Sequence, residues 1–485
     1  MGTDSDTVVS SSYDDLHHSL NVAVLSSPGM GHFIPALLLA NRLAAHHRVR
    51  VTLFLVATSA AAGRPNLPPH DPLVRILTLP PVDISHLVNP STQVFTKLCL
   101  MVRQALPAVR AAVAAMDPRP DALIATHFAY QALEIAAEFG LPKYVYFPSS
   151  AWFTALTAYL PVLDREIAGE YVDQAAALRI PGCKPLRTGD VVQPMMNRKE
   201  EQHEDYVRMG KNIPLFDGIL CNSWQDLEPE TFRAFKENEA LKSVVKIPVY
   251  PIGPLSLCSH VEPGGSGSEL MTWLDRQPSE SVVYVSFGSG GVLSADQITE
   301  LAWGLELSRQ RFLWVVRPPA DNGGHVDGAF FNMGKAAAGG LELDYLPDGF
   351  SARTRDRGVV VPEWAPQVEI LKHPGVGGFL SHCGWNSCLE SVMSGAPMVA
   401  WPLYAEQRMN AAFMAEEAGV AVRVTAEGVV GRWEIEEKVR AVMEGKTMRE
   451  KAKQLQKSAA DGLRRGGASE AAMRSVLARI VGQKM

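Results

Sequence analysis

GVGGFLSHCGWNSCLESV, residues 375–392, decides the fold. The apolar run 377–380 reads as a short buried strand, 381–385 as a glycine-bearing turn, and the residues from about Asn386 onward as a helix. A strand that passes through a glycine turn into a helix is the repeating unit of a parallel α/β sheet. The same turn is an anion site, because the first N–H groups of a helix have no intrahelical partner and the macrodipole adds positive charge there. His382, Asn386 and Ser387 add side-chain donors, and Gly384 lets the backbone approach a guest without a Cβ in the way. Glu390 projects one turn further along the Ser387 face, where a carboxylate accepts from both hydroxyls of a ribose. The donors point to a nucleotide diphosphate.

Working outward, the block extends from Trp364 to Gln407. Trp364 follows the apolar run 359–361, placing an indole at a strand end where it stacks on a base. Glu406 and Gln407 follow a second apolar run, 398–401, and offer acceptor and donor capacity to a polyhydroxy ring. Taken singly, each has a structural reading: a core tryptophan, a satisfied histidine, an Asn-Ser helix cap. Their order traces base, ribose, phosphates and sugar.

Apolar runs alternating with amphipathic segments extend this pattern over the whole chain. In the first half strands are expected at 22–25, 51–56, 74–79, 122–126, 144–147 and 219–221, with helices at 33–44, 94–115 and 129–139. In the second half strands are expected at 282–287, 312–316, 359–361, 377–380, 398–401 and 420–424, with late helices at 434–443, 448–462 and 469–481. VYPIGPL (249–255) and the Gly/Ser stretch 263–268 mark a boundary between two α/β halves. The Gly/Ala-rich segment 320–340 reads as a surface loop.

A chain of 485 residues is long for a single core. With 47% hydrophobic and 20% charged residues it is an ordinary globular protein, and a formal charge of −6 gives no basic footprint for nucleic acid. Six scattered cysteines without a CxxC pair indicate neither a disulfide framework nor a zinc site. The polar leader has no apolar signal region, Asp6 breaks the myristoylation pattern, and nothing approaches a membrane span. A cytoplasmic monomer is expected.

The first half opens with NVAVLSSPGMGHFIPALLLANRL (21–43), a buried strand that turns through glycines into a helix and leaves His32 at the ligand-binding edge of the sheet. Gly29 and Gly31 lack the third glycine of a dinucleotide fingerprint, since Ile34 stands there. This argues against an oxidoreductase.

The Trp364–Gln407 block, which retains HCGWNS, resembles the secondary product glycosyltransferase box of plant family 1 UDP-glycosyltransferases. The resemblance runs from about residue 20 to the last helix. PGCKPLRTGDVVQPMMNRKEE (181–201) and YAEQRMNA (404–411) bring it nearest the hydroquinone and monolignol glucosyltransferase branch. It implies a GT-B fold, two doubly wound Rossmann-like domains facing across a cleft. The N-terminal acceptor domain would span 1–255 and the UDP-sugar domain 256–465, with a final helix, 466–485, packing back on the first domain.

By the same resemblance Trp364 stacks on uracil, Ala365 and Gln367 serve the uridine, and Glu390 binds the ribose. His382, Asn386, Ser387, Ser289 of the SFGSG turn and Ser27 would hold the diphosphate, and Trp385, Glu406 and Gln407 the sugar. Many relatives carry Asp at the Glu406 position, and Gln407 favours UDP-glucose over UDP-galactose. The implied reaction is an inverting glucosyl transfer from UDP-glucose to a small phenol, with His32 as general base and no metal or other cofactor. Asp4-Ser5-Asp6, in the leader, reads as a solvated tail. Met30, Trp152, Phe153 and Tyr404 are candidate acceptor-pocket residues.

One departure stands out. Relatives place an Asp at the strand end that orients the His, but PDALIATHF (120–128) puts Thr126 there. Asp121 begins that strand, about five residues or roughly 16 Å away at the wrong edge. Thr126 can orient the imidazole but cannot stabilise imidazolium by charge. His32 acting alone on acidic phenols, another acid compensating, C-glucosylation of polyphenols, and a weakly catalytic nucleotide-sugar-binding protein remain open on the sequence.

Overall fold

The computed structural model describes residues 20–57, 69–259, 269–319, 344–425 and 428–484. The leader with Asp4-Ser5-Asp6, the Gly/Ser stretch 263–268 and the segment 320–340 lie outside the described residues. The chain forms two compact units. The first comprises the chain up to Pro185, Pro194–Leu255 and Gly462–Met485; the second comprises Leu186–Gln193 and Ser256–Asp461.

In the first unit β1 (Asn21–Ser26), β2 (Arg50–Leu55), β3 (Val74–Thr78), β4 (Ala122–Thr126), β5 (Lys143–Phe147), β6 (Gly218–Cys221) and β7 (Val249–Pro251) form one sheet in the order β3-β2-β1-β4-β5-β6-β7. Every pairing is parallel. The central strands β1 and β4 are buried along their whole length, which is why they read as continuous apolar runs.

In the second unit β8 (Val282–Ser286), β9 (Arg311–Val316), β10 (Gly358–Pro362), β11 (Val376–Ser381), β12 (Met398–Ala400) and β13 (Ala421–Arg423) form a second parallel sheet, ordered β10-β9-β8-β11-β12-β13. Both units are Rossmann-like. In each, strand order reverses beside the first strand, between β1 and β4 and between β8 and β11. Ligands of open α/β sheets bind at such switch points, beyond the carboxyl ends of the strands.

Two elements depart from expectation. VYP of the expected linker motif is strand β7, because an edge strand has one side free of ladder bonds and tolerates Pro251. The helix expected at 129–139 instead begins as a 3₁₀ turn, His127–Ala132, directly after β4, and becomes α-helical only over Leu133–Glu138. Ala129, at φ −98° and ψ 23°, breaks the regular spiral. The early start holds His127 and Phe128 at the sheet edge.

The helix Ala468–Lys484 belongs to the first unit, where it contacts β7 and buries Met473, Val476, Leu477 and Ile480. Arg42, on the helix Met30–His47, donates from Nη2 to the Leu463 carbonyl at 2.6 Å, tying down the chain before that last helix. None of the six cysteines forms a disulfide. Among the described residues no helix is long and apolar enough to cross a membrane.

Candidate active site

In the first unit, the turn after β1 enters the helix Met30–His47 through Gly29, whose φ of 93° no side-chain-bearing residue adopts readily. His32 therefore falls in the first helical turn, at the switch point. Its Nδ1 lies 2.9 Å from Ser27 Oγ. Ser27 is fully buried, and its N–H donates to Thr126 Oγ1 at 3.0 Å; the Thr126 hydroxyl reaches Ser27 Oγ at 3.5 Å.

This corrects one expectation: Thr126 does not contact His32 directly but reaches it through Ser27, whose hydroxyl lies between the two. Asp121 sits at the opposite edge, accepting from the Asn21 N–H at 2.8 Å. Burial pushes the His32 imidazole down from 6.5 to about 4, opposed by a hydrogen bond to the Pro28 carbonyl.

Beside His32 stands an aromatic cluster. Phe128, partly exposed, stacks on the imidazole at 4.9 Å and 21°. His127 is buried, 5.1 Å from Phe147 and 5.8 Å from Phe153 by ring centroids, and packs rather than facing solvent. Phe153 also stacks on Tyr206 at 6.2 Å. Trp152 is buried where the buried Glu228 carboxylate accepts from the Ala151 and Trp152 N–H groups at 2.8 and 2.9 Å, closing that helix start. Met30 stays partly exposed beside Gly31. Phe128 was missed by sequence reasoning, although its place two residues past a strand end at the sheet's ligand edge was a readable signal.

In the second unit, the turns after β8 and β11 meet. The His382 ring lies between two glycines: a Cβ on Gly288 would come within 2.5 Å of it, and one on Gly384 within 2.7 Å. Gly288 has φ 71°. The Nδ1 of His382 is buried without a hydrogen-bond partner, and burial, helped by the Arg317 charge, pushes the ring down to about 4, so it is neutral at pH 7. The helix Trp385–Met393 starts at Gly384 with no side-chain cap, leaving its first amides as anion donors beside the partly exposed Asn386. The Trp385 indole is buried, its ring centroid 6.0 Å from that of Phe413.

Gln367 Nε2 donates to Ser387 Oγ at 3.0 Å and to Glu390 Oε2 at 2.6 Å. Burial pushes the Glu390 carboxyl up to about 7, against the Gln367 hydrogen bond. Trp364 presents an indole that is 72% exposed, next to the buried Ala365. Glu406 remains partly exposed with its carboxyl raised by burial, and Gln407 Oε1 accepts from the Leu403 and Tyr404 N–H groups at 2.9 and 3.0 Å. Tyr404 is partly buried.

Arg317 joins this set unforeseen. It stands just past β9, donating to the Ser289 carbonyl and, from Nε, to the Glu363 carbonyl at 3.4 Å. A small open pocket is bounded by Phe287, Gly288, Trp314 and Arg317. Glu363, Cys383 and Ala405 have φ of 62°, 62° and 56°, each next to a candidate ligand residue. A left-handed residue without glycine's freedom persists only where the surrounding structure holds it. Among the described residues no cluster of metal-ligating side chains occurs.

The profile of the family described as UDP-glucoronosyl and UDP-glucosyl transferase matches residues 252–461. Anthocyanidin 3-O-glucosyltransferase 5 of Manihot esculenta is 48% identical over 464 residues, covering 94% of each chain. The chain belongs to the plant family 1 UDP-glycosyltransferases. Hydroquinone glucosyltransferase of Rauvolfia serpentina is 40% identical over 94% of this chain and 97% of its own. The structure of Phytolacca americana UGT2 complexed with UDP-2fluoro-glucose and pterostilbene superimposes with a TM-score of 0.82 at 35% identity, covering 95% of this chain and 100% of that one. As a member of this family the chain is a glycosyltransferase, and its two Rossmann-like units are those of the GT-B fold.

Proposed function

We propose that this enzyme transfers glucose from UDP-glucose to the hydroxyl of a small phenol, with inversion, using His32 as general base and no metal. The observation that carries the proposal is the Thr126–Ser27–His32 chain of hydrogen bonds at the first unit's switch point. A carbonyl oxygen only accepts, so the bond to Pro28 calls for a protonated ring nitrogen. We assign that proton to Nδ1, on the Ser27 side, which leaves the Nε2 lone pair to take the acceptor's proton.

A base pushed down to about 4 is wholly unprotonated at neutral pH but has little driving force. It suits a phenol, with a pKa of about 10, far better than an aliphatic alcohol. The aromatic face of Phe128 beside the imidazole suits a planar acceptor. The names of the relatives, an anthocyanidin and a hydroquinone glucosyltransferase, support the same acceptor class.

On the donor side, Trp364 would stack on uracil, Glu390 would take the ribose hydroxyls, and His382, Asn386 and the helix amides would receive the charge that develops on the departing diphosphate. Glu406 and the Gln407 amide would hold the glucose. Preorganised donors of this kind supply what a divalent cation supplies elsewhere. Incubation with UDP-glucose and a matched panel of phenols and alkyl alcohols, read by mass spectrometry, tests the proposal. Acid-labile phenyl glucosides are expected; a clear preference for alkyl alcohols, or acid-stable C-linked products, would refute it.

A further inference from the structure

We propose that Gln193 sets which hexose the donor site takes, by holding the loop that presents Glu406. This rests on the donor-site reading above. Leu186–Gln193 packs with the second unit although Pro185 and Pro194, its neighbours in the chain, belong to the first. Its anchor is Arg423, the last residue of β13. The Arg423 guanidinium binds both carboxylate oxygens of the buried Asp190, Nη1 to Oδ2 at 2.9 Å and Nη2 to Oδ1, and Nη1 also reaches Glu416 at 3.1 Å. A two-pronged arginine–carboxylate pair fixes orientation as well as position.

Three residues beyond Asp190, Gln193 grips a single residue twice. Its N–H donates to the Ala405 carbonyl at 3.0 Å, and its Oε1 accepts from the Ala405 N–H at 3.0 Å. Ala405 lies at φ 56°, a conformation that an alanine does not choose unaided. The two preceding amides, of Leu403 and Tyr404, both donate to Gln407 Oε1. Three successive backbone amides are thus held by two glutamine carboxamides, and Glu406 is aimed by what precedes it. The carboxylate itself receives a long bond from Asn410 Nδ2 at 3.4 Å and one from its own backbone N–H. Its direction is therefore set by the backbone more than by its own contacts. The Gln367, Ser387 and Glu390 contacts at the nucleotide end run through different residues. Gln193 should accordingly govern the sugar and leave the nucleotide alone.

Two substitutions of similar length separate the acceptor oxygen from mere packing: Gln193→Met removes it and Gln193→Glu keeps it. Calorimetric titration of the full-length protein with UDP and with UDP-glucose reads the result. Gln193→Met should bind UDP-glucose about three- to tenfold more weakly while UDP changes by less than about twofold, the size expected from one lost hydrogen bond felt only through the sugar. Its preference for UDP-glucose over UDP-galactose should narrow, and Gln193→Glu should recover most of the loss. Equal weakening for UDP and UDP-glucose, or no change for UDP-glucose, overturns this proposal alone. Failure of the unsubstituted protein to bind UDP overturns the donor-site reading and the proposal with it.

Discussion

Thr126→Asp places a carboxylate at this strand end, where the family resemblance implies one, and its effect can be worked from the geometry. The hydrogen-bond legs Thr126–Ser27 and Ser27–His32, 3.5 and 2.9 Å, bring a carboxylate at position 126 within about 6 Å of His32 Nδ1. At an effective dielectric constant of about 20, such a charge stabilises imidazolium by about 3 kcal/mol, which is about two pH units. The imidazole, held near 4 by burial, then titrates near about 6. A base works when unprotonated, so kcat/KM is present above its pKa and lost below it. The acidic limb of the pH profile should therefore sit near about 4 in the natural enzyme and near about 6 in the variant. If half of the gain in basicity is felt in the transition state, kcat above pH 7 rises about tenfold. The assay is kcat and kcat/KM for a phenol under saturating UDP-glucose across the pH range. An acidic limb that stays in place in the variant would refute the electrostatic reasoning, and a limb that moves without any rise in kcat would refute the basicity argument.

Two further outcomes follow from the second unit. Gly288→Ala places a methyl group 2.5 Å from the His382 ring at a backbone φ of 71°, so UDP affinity should fall at least about tenfold in calorimetry while His32-side packing is untouched. Glu390, raised from 4.5 to about 7 by burial, favours its protonated form in the folded state; the stability this contributes is present below about 4.5 and is lost as pH rises through 7. Ligand-free protein should lose up to about 3 kcal/mol across that window relative to Glu390→Gln, measured by denaturant titration. UDP, whose ribose is proposed to use the carboxylate, should bind more tightly as pH rises through the same window, and a flat pH response would contradict the role.

How much was legible in the sequence depends on the range of the interactions concerned. The strand–turn–helix pattern is local, so β4 fell where its residues predict and the other expected strands within a residue or two. β7 was hidden because Pro251 signals a break unless the strand is known to be an edge. The candidate residues of the Trp364–Gln407 block were legible as a group, but their wiring was not. Ser27 and Thr126 are 99 positions apart, and Gln193 meets Ala405 across 212. Such partners are chosen by topology. The left-handed backbone at Glu363, Cys383 and Ala405 leaves no mark in the letters either, since none is glycine or asparagine. Nor do the letters show that the Trp385 ring is buried beside Phe413, 28 positions further along the chain.

The central claim is that the imidazole of His32 takes the acceptor's proton. Its most direct test is kcat/KM for a phenol with His32→Ala beside the unsubstituted enzyme, together with the UDP affinity of each. A loss of about 10²- to 10⁴-fold with unchanged UDP affinity is expected; a variant that retains transfer within a few-fold would contradict the account.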